Sequence, residues 1–165
     1  MLTSGENMLT DAYLNDVCGR ALAEDCGIDG DCTTQAIIPA HLEVTACIAA
    51  RQSCVCAGLP VARHVFEQLD ERLCIAERVA EGQWVESGEV IACVQGRAQP
   101  ILTGERTALN FLQRLCGIAT LTQRYVAAAG ENGCVILDTR KTTPGLRLLE
   151  KYAVRTGGGR NHRMG

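Results

Sequence analysis

The feature that most limits how this chain can fold is a long apolar pattern between residues 103 and 128. Apolar side chains recur there every three or four residues, which is the spacing of one face of an α-helix. These residues are Leu109, Leu112, Leu115, Cys116, Ala119, Thr122 and Val126, with Phe111, Ile118 and Tyr125 beside them. Thr103 is a suitable N-cap, so we predict a helix from Thr103 to about Ala128. Because a helix that is apolar on most sides needs a protein cover, we expect it to link two domains or to lie in a subunit interface.

The residues before this helix indicate short strands mixed with helices. A helix is predicted after the N-cap residue Thr10 and ends near Asp25. Val44, Ala46 and Ile48 alternate with other residues, as in a strand with one buried face. Further predicted elements, in chain order, are a loop at 26–34, a helix at 61–69 and strands at 73–79 and 90–94. Because strands and helices do not alternate regularly, this order predicts an α+β first domain.

After the long helix, the pattern indicates one strand, one loop and one helix. Residues 135–137 are predicted to be a buried strand, and Asp138-Thr139-Arg140-Lys141 follows it directly. Thr143-Pro144 matches an N-cap followed by proline, and Gly157 stands where a helix would stop. We therefore predict a helix over residues 145–156, which completes one unit of an α/β fold.

Charge is distributed unevenly along the chain. The formal net charge is only −3, but seven of the 16 Lys and Arg residues and one of the 19 acids lie from Thr139 onward. This asymmetry predicts a local anion site, although a solvated basic helix would give the same pattern. Aromatic residues make up only 4% of the chain. We find none interleaved with basic residues, which argues against nucleic-acid binding.

The strongest candidate site is the loop that contains Arg140 and Lys141. These two cations directly follow the predicted strand, at the strand end where α/β folds bind ligands. Arginine can hold a carboxylate or phosphate through two parallel hydrogen bonds, whereas lysine supplies a compact charge. The alternative is an ordinary polar loop between a strand and a helix.

Two other stretches carry candidate cations. Residues 157–165 begin with three glycines, which would let the backbone approach a ligand closely, and continue with Arg160, His162 and Arg163. Arg106 is predicted in the first turn of the long helix, where an anion would also meet free backbone N–H groups. The alternatives are a basic loop after a glycine C-cap and a surface arginine paired with a neighbouring acid.

The ten cysteines are predicted to be structural. There is no C-x-x-C motif and there are only three histidines, which argues against a metal site. Residues 82–96 resemble the hairpin of biotin or lipoyl carrier domains, but such domains need a displayed lysine and none occurs before Lys141. No apolar run approaches the ~18 residues of a membrane span. The N-terminus lacks a signal-peptide pattern, so we expect a cytoplasmic protein.

Taken together, these motifs resemble the quinolinate phosphoribosyltransferase family. The matching stretches are EDCGIDGDCTT (24–34), ARQSCVCAGLPVARHVF (50–66), GERTALNFLQRLCGIATLT (104–122) and LDTRKTTPGLRLLEKYAVRTGGGRNHRMG (137–165). The last two are long and specific, whereas the first two are only suggestive. The resemblance implies an α+β N-terminal sandwich domain over residues 1–113. It also implies the start of an α/β barrel over residues 114–165, as in an incomplete type II phosphoribosyltransferase fold.

The resemblance also implies a reaction and its site. The family joins quinolinate to phosphoribosyl pyrophosphate with Mg²⁺, held mainly through that co-substrate, and forms nicotinate mononucleotide, pyrophosphate and CO2 for NAD biosynthesis. Its active sites are shared between the two subunits of a homodimer. The implied site residues are Arg106, reaching the neighbouring subunit's quinolinate; Arg140, His162 and Arg163, holding the carboxylates; and Lys141 with Thr139, beside the ring and the phosphates. Among these, Arg140 and Lys141 are the expected catalytic residues.

The sequence departs from the family because it stops at residue 165, before the further strands that carry another lysine, the acids near Mg²⁺ and a phosphate loop. The 165 residues alone are therefore expected to be incomplete and inactive. Two alternatives stay open: a sister enzyme of the same fold, such as the ModD-like proteins associated with molybdenum transport, and a non-catalytic chain that only binds anions or dimerises.

Overall fold

The computed structural model describes residues 8–130 and 133–164. Helices and strands alternate irregularly along the chain, as expected for an α+β fold. The elements are α1 (Asp11–Cys26), α2 (Cys32–Ile37), β1 (Glu43–Ala49), β2 (Cys54–Val55), α3 (Leu59–Leu69), β3 (Cys74–Glu77), β4 (Trp84–Val85), β5 (Val90–Arg97), α4 (Ala98–Ala129) and α5 (Arg147–Thr156).

Two small antiparallel sheets form one layer of the fold. The larger sheet has the strand order β1-β5-β3, and the smaller pairs β2 with β4. Along β1, Val44, Ala46 and Ile48 are half-buried while the residues between them are exposed, which confirms the predicted alternation. The two-residue strands β2 and β4 were not predicted, because elements this short show no periodicity.

Helices α1, α3 and α4 pack together to form the core of the same region. Thr10 caps α1 as predicted, since its hydroxyl accepts the N–H of Tyr13 at 3.3 Å. The predicted loop at 26–34 is too long, because Asp31 starts the short helix α2 by accepting the N–H of Thr34 at 3.0 Å. The predicted helix at 61–69 is α3, which begins two residues earlier.

The N-terminus of α3 requires a glycine. Gly58 has a φ of +105°, and a side chain there would place its Cβ 2.8 Å from a methyl group of Leu115 in α4. The carboxylate of Glu81 accepts the N–H groups of Gly58 and Leu59, and thereby satisfies donors that no helical carbonyl can reach. This contact fixes α3 against both α4 and the sheet layer.

Helix α4 begins five residues before the predicted N-cap Thr103. Pro100 lies in its first turn, where backbone N–H groups have no helical acceptor, so the N–H that proline lacks costs no hydrogen bond. The N–H of Ala98 donates instead to the carbonyl of Leu42 at 2.8 Å, outside the helix. Arg106 is therefore in the third turn of α4, and the predicted anion site at a helix N-terminus is wrong for this residue.

Neighbouring elements cover α4 on one side only. Ala108, Leu112, Leu115 and Ala119 are buried against α3, the sheet layer and α5. On another side, an open groove of about 1600 Å³ runs between α4 and β1, and Leu102 and Leu121 of α4 are exposed there. None of the helices in the described ranges is long and apolar enough to cross a membrane. The proposed boundary between residues 113 and 114 falls inside α4 and stays a prediction.

The predicted buried strand at residues 135–137 is wrong. Val135 and Leu137 are 47% and 53% exposed, and a single parallel bridge joins Leu137 to Arg160. An isolated strand has no neighbours to bury its side chains, so a pattern typical of a buried strand gives only one bridge here. Thr143-Pro144 is part of a turn, and α5 begins after it, at Arg147.

Candidate functional site

The parallel bridge between Leu137 and Arg160 brings two of the predicted cationic segments together. The N–H of Arg160 donates to the carbonyl of Ile136 at 2.8 Å, and the N–H of Asp138 donates to the carbonyl of Arg160 at 3.0 Å. Because the two stretches run in the same direction, the residues that follow Leu137 and those that follow Arg160 emerge at the same end of the bridge. Residues 138–141 and 161–163 therefore start from one place, as the sequence predicted.

The carboxylate of Asp138 holds the two segments in register. It accepts hydrogen bonds from the Lys151 ammonium at 2.6 Å, the Asn161 side-chain amide at 2.7 Å and the His162 backbone N–H at 2.8 Å. The side chains of Asp138 and Lys151 are only 2% and 0% exposed. Three donors on one buried carboxylate offset the loss of water around it, so this ion pair is a structural anchor for the loops.

Lys151 is not one of the free cations that the charge pattern suggested. It comes from α5, and its ammonium also donates to the carbonyl of His162 at 3.1 Å. Lys151 and Lys141 are the only two lysines of the chain, but one is fully buried and the other is exposed. Sequence reasoning missed the pairing because Asp138 and Lys151 are thirteen residues apart and show no local pattern.

The other candidate cations surround this anchor and face solvent. Arg140, Lys141, His162 and Arg163 are all exposed. The hydroxyl of Thr139, also exposed, accepts the N–H of Lys141 at 3.0 Å, which fixes the backbone between them. The arrangement combines a rigid, hydrogen-bonded backbone with charged side chains that are free to contact an anion.

Arg147 connects the same two segments a second time. Its guanidinium donates to the hydroxyl of Thr142 at 3.2 Å, the carbonyl of Arg140 at 3.4 Å and the carbonyl of Met164 at 3.4 Å. Arg147 is the first residue of α5, so the helix supports both segments directly. This arginine therefore acts on the backbone of the loops, whereas Arg140, Lys141, His162 and Arg163 are exposed.

Gly157 and Gly159 do not form the open approach for a ligand that was predicted for the three glycines at 157–159. A Cβ at Gly157 would collide with the backbone carbonyl of Ala119 and lie 2.9 Å from the Cβ of Thr122. A Cβ at Gly159 would lie 2.7 Å from a methyl group of Val154. These glycines let the end of α5 pack against α4, and Gly157 caps α5 as predicted.

Arg106 lies apart from this cluster. It is 70% exposed and pairs with Asp25 at 3.2 Å, at the end of α1. Among the described residues, no hydrogen bond or ion pair connects Arg106 with residues 138–141 or 160–163. The chain by itself therefore brings together five of the six predicted site residues: Thr139, Arg140, Lys141, His162 and Arg163.

A contact that the sequence did not reveal joins α4 to the turn before α5. Arg114 donates to the carboxylate of Glu150 and to the hydroxyl of Thr143. Burial by itself would raise the pKa of Glu150, but the bonds from Arg114 and Thr143 lower it overall. The carboxylate therefore stays ionised and holds the turn against α4.

The described residues offer no protein-held metal site. Within residues 8–130 and 133–164, no three His, Cys, Asp or Glu side chains cluster so that they could bind a metal ion. The Asp138 carboxylate is already occupied by Lys151, Asn161 and His162. These residues do not fit a Mg²⁺ site of their own, and Mg²⁺ carried by the phosphates of a co-substrate stays a prediction.

Two family models match the chain. "Quinolinate phosphoribosyl transferase, N-terminal domain" covers residues 31–116, and "Quinolinate phosphoribosyl transferase, C-terminal domain" covers residues 118–165. The boundary between the two matches lies within α4.

Curated relatives and solved structures agree with these matches. The chain is 47% identical over 152 residues to a chloroplastic nicotinate-nucleotide pyrophosphorylase (carboxylating) of Arabidopsis thaliana, covering 92% of this chain and 43% of the relative. It is 46% identical to a probable enzyme of the same name from Synechocystis, covering 87% and 48%. The structure of NadC from Streptococcus pyogenes superimposes with a TM-score of 0.91 at 42% identity, covering 95% of this chain and 56% of that one. The chain thus spans less than half the length of these two curated relatives.

Proposed function

The chain belongs to the quinolinate phosphoribosyltransferase family, and on that premise we propose that it serves in making nicotinate mononucleotide for NAD biosynthesis. The proposed reaction joins quinolinate to phosphoribosyl pyrophosphate and releases pyrophosphate and CO2. The relatives named above support this reaction over that of the molybdenum-associated sister enzymes, because their names specify nicotinate-nucleotide pyrophosphorylase.

The observation that carries the proposal is the set of cations around the Asp138 anchor. Quinolinate is a dianion, and its co-substrate carries several more negative charges. Two such anions repel each other, so fixed positive charges are needed to hold them in reacting positions. Arg140, Lys141, His162 and Arg163 supply donors at one end of the parallel bridge, on a backbone that Asp138 and Arg147 hold in place.

We assign to these residues the roles that the family resemblance implies, and their chemistry is consistent with those roles. Arg140 and Arg163 bind the two adjacent carboxylates, since a guanidinium can donate two parallel hydrogen bonds to a carboxylate. His162 adds a further donor to the same group. Lys141, with the hydroxyl of Thr139, lies between the pyridine ring and the phosphates of the co-substrate, where a compact ammonium can serve both anions.

The same charges assist the chemistry. The ring nitrogen of quinolinate attacks the first carbon of the ribose as the bond to pyrophosphate breaks, so negative charge grows on the leaving group. Lys141 stabilises that charge because a preorganised cation needs no rearrangement as the charge develops. Once the nitrogen is alkylated, the cationic ring accepts the electron pair left by CO2. No covalent nucleophile is required.

Arg106 has a role in this proposal only in a homodimer. It is exposed, and within its own chain it pairs with Asp25 at the end of α1. A second copy of the chain would place Arg106 against the partner's quinolinate, so that each active site takes residues from two subunits. The exposed apolar groove between α4 and β1 is consistent with a second protein surface that covers this face.

The cytoplasmic location of the protein also stays a prediction.

The direct test is an enzyme assay of the complete gene product that contains these residues. Quinolinate, phosphoribosyl pyrophosphate and MgCl2 are supplied, and the products are measured. We expect equal amounts of pyrophosphate, CO2 and nicotinate mononucleotide. Nicotinate is the matched control, because it lacks the second carboxylate and cannot lose CO2. Pyrophosphate release that is as fast with nicotinate as with quinolinate, or quinolinate binding without turnover, would reject the reaction and favour a non-catalytic anion-binding protein.

A further inference from the structure

Two cysteines face each other across neighbouring strands of the three-stranded sheet. Cys47 of β1 is the register partner of Cys93 of β5, and their sulfur atoms are 2.7 Å apart. Both thiols are free in the structure. The prediction that the cysteines merely fill apolar space does not account for this pair, because Cys47 is exposed.

The register places this pair where adjacent strands approach most closely. In antiparallel strands, hydrogen-bonded residue pairs alternate with non-hydrogen-bonded pairs, whose Cα atoms are only ~4.5 Å apart. The N–H of Ala98 donates to the carbonyl of Leu42, one step before the pair Glu43 and Arg97. Leu42 and Ala98 are therefore a hydrogen-bonded pair, and the two kinds of pair alternate from there along β1. Cys47 and Cys93 are five steps further on, so they form a non-hydrogen-bonded pair. A Cα separation of that size lies within the range spanned by disulfides, so the bond can form without moving the strands.

The surroundings of the pair favour one reactive thiolate. A hydrogen bond from Cys47 lowers the pKa of the Cys93 thiol against the opposing effect of burial, and the Arg78 guanidinium lowers it further. The same hydrogen bond raises the pKa of Cys47. Cys93 is 9% exposed whereas Cys47 lies at the surface. Cys93 is therefore the more acidic thiol of the pair, and a reductant can reach the sulfur of Cys47 from solvent.

We propose that Cys47 and Cys93 form a reversible redox site, which peroxides convert to a cross-strand disulfide and dithiols restore. The Cys93 thiolate attacks one oxygen of hydrogen peroxide, so the O–O bond breaks, and sulfenic acid and hydroxide form. The Cys47 thiol then attacks the sulfenic sulfur and displaces water. Two thiols and one peroxide thus give one disulfide and two waters. A dithiol reverses the change through two thiol–disulfide exchanges.

The disulfide would join an edge strand to the strand beside it. In the order β1-β5-β3, β1 lies at the edge of the sheet. The residues of β1 that line the groove beside α4 include Val44, Ala46 and Ile48, and Cys47 itself. Oxidation would therefore fix one wall of that groove, without involving any residue of the Asp138 anchor.

The test uses the 165-residue chain with one molar equivalent of hydrogen peroxide, followed by alkylation of the remaining thiols and digestion after arginine. We expect the count of free thiols to fall from ten to eight per chain. We also expect a linked product joining the peptide that ends at Arg51 to the peptide that ends at Arg97. Fragmentation must assign the link to Cys47 and not to Cys26 or Cys32. Dithiothreitol should restore both thiols.

Three variants decide the outcome. Cys93→Ser and Cys47→Ser should each abolish the linked product, and far-UV circular dichroism would establish that both variants fold. Cys74→Ser is the matched control, because Cys74 is exposed on β3 and pairs with Gln95 of β5, not with a second thiol. It should leave the linked product unchanged. A link from Cys93 to another cysteine, an equal loss of thiols in Cys93→Ser, or a product that dithiothreitol does not reverse would overturn the proposal.

Discussion

Two regions of this chain are stabilised by different means. The sheet region, residues 8–97, buries apolar side chains of α1, α3 and the strands around one core, with α4 as its cover. The anchored segment, residues 133–164, joins that core through Leu149 and Ala153 of α5, but it leaves Val135 and Leu137 exposed and depends in addition on the buried Asp138–Lys151 ion pair. Apolar burial tolerates small changes because many contacts share the energy, whereas a buried ion pair fails when either partner is removed. The two regions should therefore respond differently to single substitutions.

The largest effect is expected from Lys151→Met. Removing the ammonium leaves the Asp138 carboxylate buried without its countercharge, which costs about 4 kcal/mol. Urea unfolding can be followed by far-UV circular dichroism, to which α5 contributes as one of the five described helices, and by the fluorescence of Trp84, the only tryptophan, for the sheet region. We expect a minor part of the helix signal to be lost at lower urea than the Trp84 signal, and the remainder to be lost together with it. Lys141→Met, at the exposed lysine, should leave both transitions unchanged. Coincident transitions in Lys151→Met would show that the two regions do not differ in this way.

A smaller effect is expected from Gly157→Ala. The added methyl group would collide with the Ala119 carbonyl of α4, and overpacking of this kind costs about 2–3 kcal/mol. Gly117→Ala is the matched control, since Gly117 lies within α4 and has nothing within 4 Å of its added Cβ. There the change should stabilise the chain by up to ~1 kcal/mol, because alanine favours helix. The midpoint of urea unfolding distinguishes the two, and an equal shift in both variants would contradict the packing described.

Loss of a helix cap in the sheet region should have a moderate effect. Thr10→Ala removes the hydroxyl that accepts the Tyr13 N–H at the start of α1, at a cost of about 1 kcal/mol. Both spectroscopic signals should shift together, because α1 belongs to the shared core. Thr10→Ser keeps the hydroxyl and should restore most of the loss. A Ser variant as unstable as the Ala variant would rule out capping as the cause.

The smallest expected effect is the pH dependence that Asp70 contributes. Hydrogen bonds from Arg72, and then from Arg97, hold the pKa of Asp70 well below its usual range. Since the folded-state pKa is the lower one, the stabilisation is complete above about pH 4 and is lost as the pH falls further. Both arginines are substantially exposed, so salt should weaken the effect. In Asp70→Asn, thermal unfolding between pH 5 and 2 should depend less on pH, and an unchanged pH profile would exclude this carboxylate.

The parts of the fold that were predicted correctly are those with a local signal. The Thr10 cap and the alternation of Val44, Ala46 and Ile48 each depend on neighbouring residues. The start of α4 was misplaced because Pro100 and Thr103 both suit a helix N-terminus, and only the bond between Ala98 and Leu42 distinguishes them. The exposed positions of Val135 and Leu137 could not be predicted, since burial of a strand depends on its neighbours in space.

The candidate cations were named from the sequence and their role at a site stays a prediction, whereas the residues that support their loops were not foreseen. Arg140, Lys141, His162 and Arg163 were identified from the sequence, and the structure brings their segments together. Lys151 and Gly157 depend on partners 13 and 38 residues away, in Asp138 and Ala119, and Arg147 contacts both loops through Arg140 and Met164. Such partners leave no periodic trace, so the support that Lys151 and Arg147 give was not predicted, and Gly157 was assigned to a ligand approach although it packs against α4.

The most direct test of the account is the affinity of the protein for quinolinate in the Arg163→Ala variant, measured by isothermal titration calorimetry. Arg163 faces solvent beside the anchor, so its loss should leave the fold intact and remove one charged hydrogen-bonding partner of the ligand. We predict that binding weakens about tenfold or more. Arg155→Ala, at an exposed arginine of α5 outside the cluster, should bind quinolinate as tightly as the unmodified protein. Equal affinities in Arg163→Ala and the unmodified protein would contradict the claim that these loops hold the dicarboxylate.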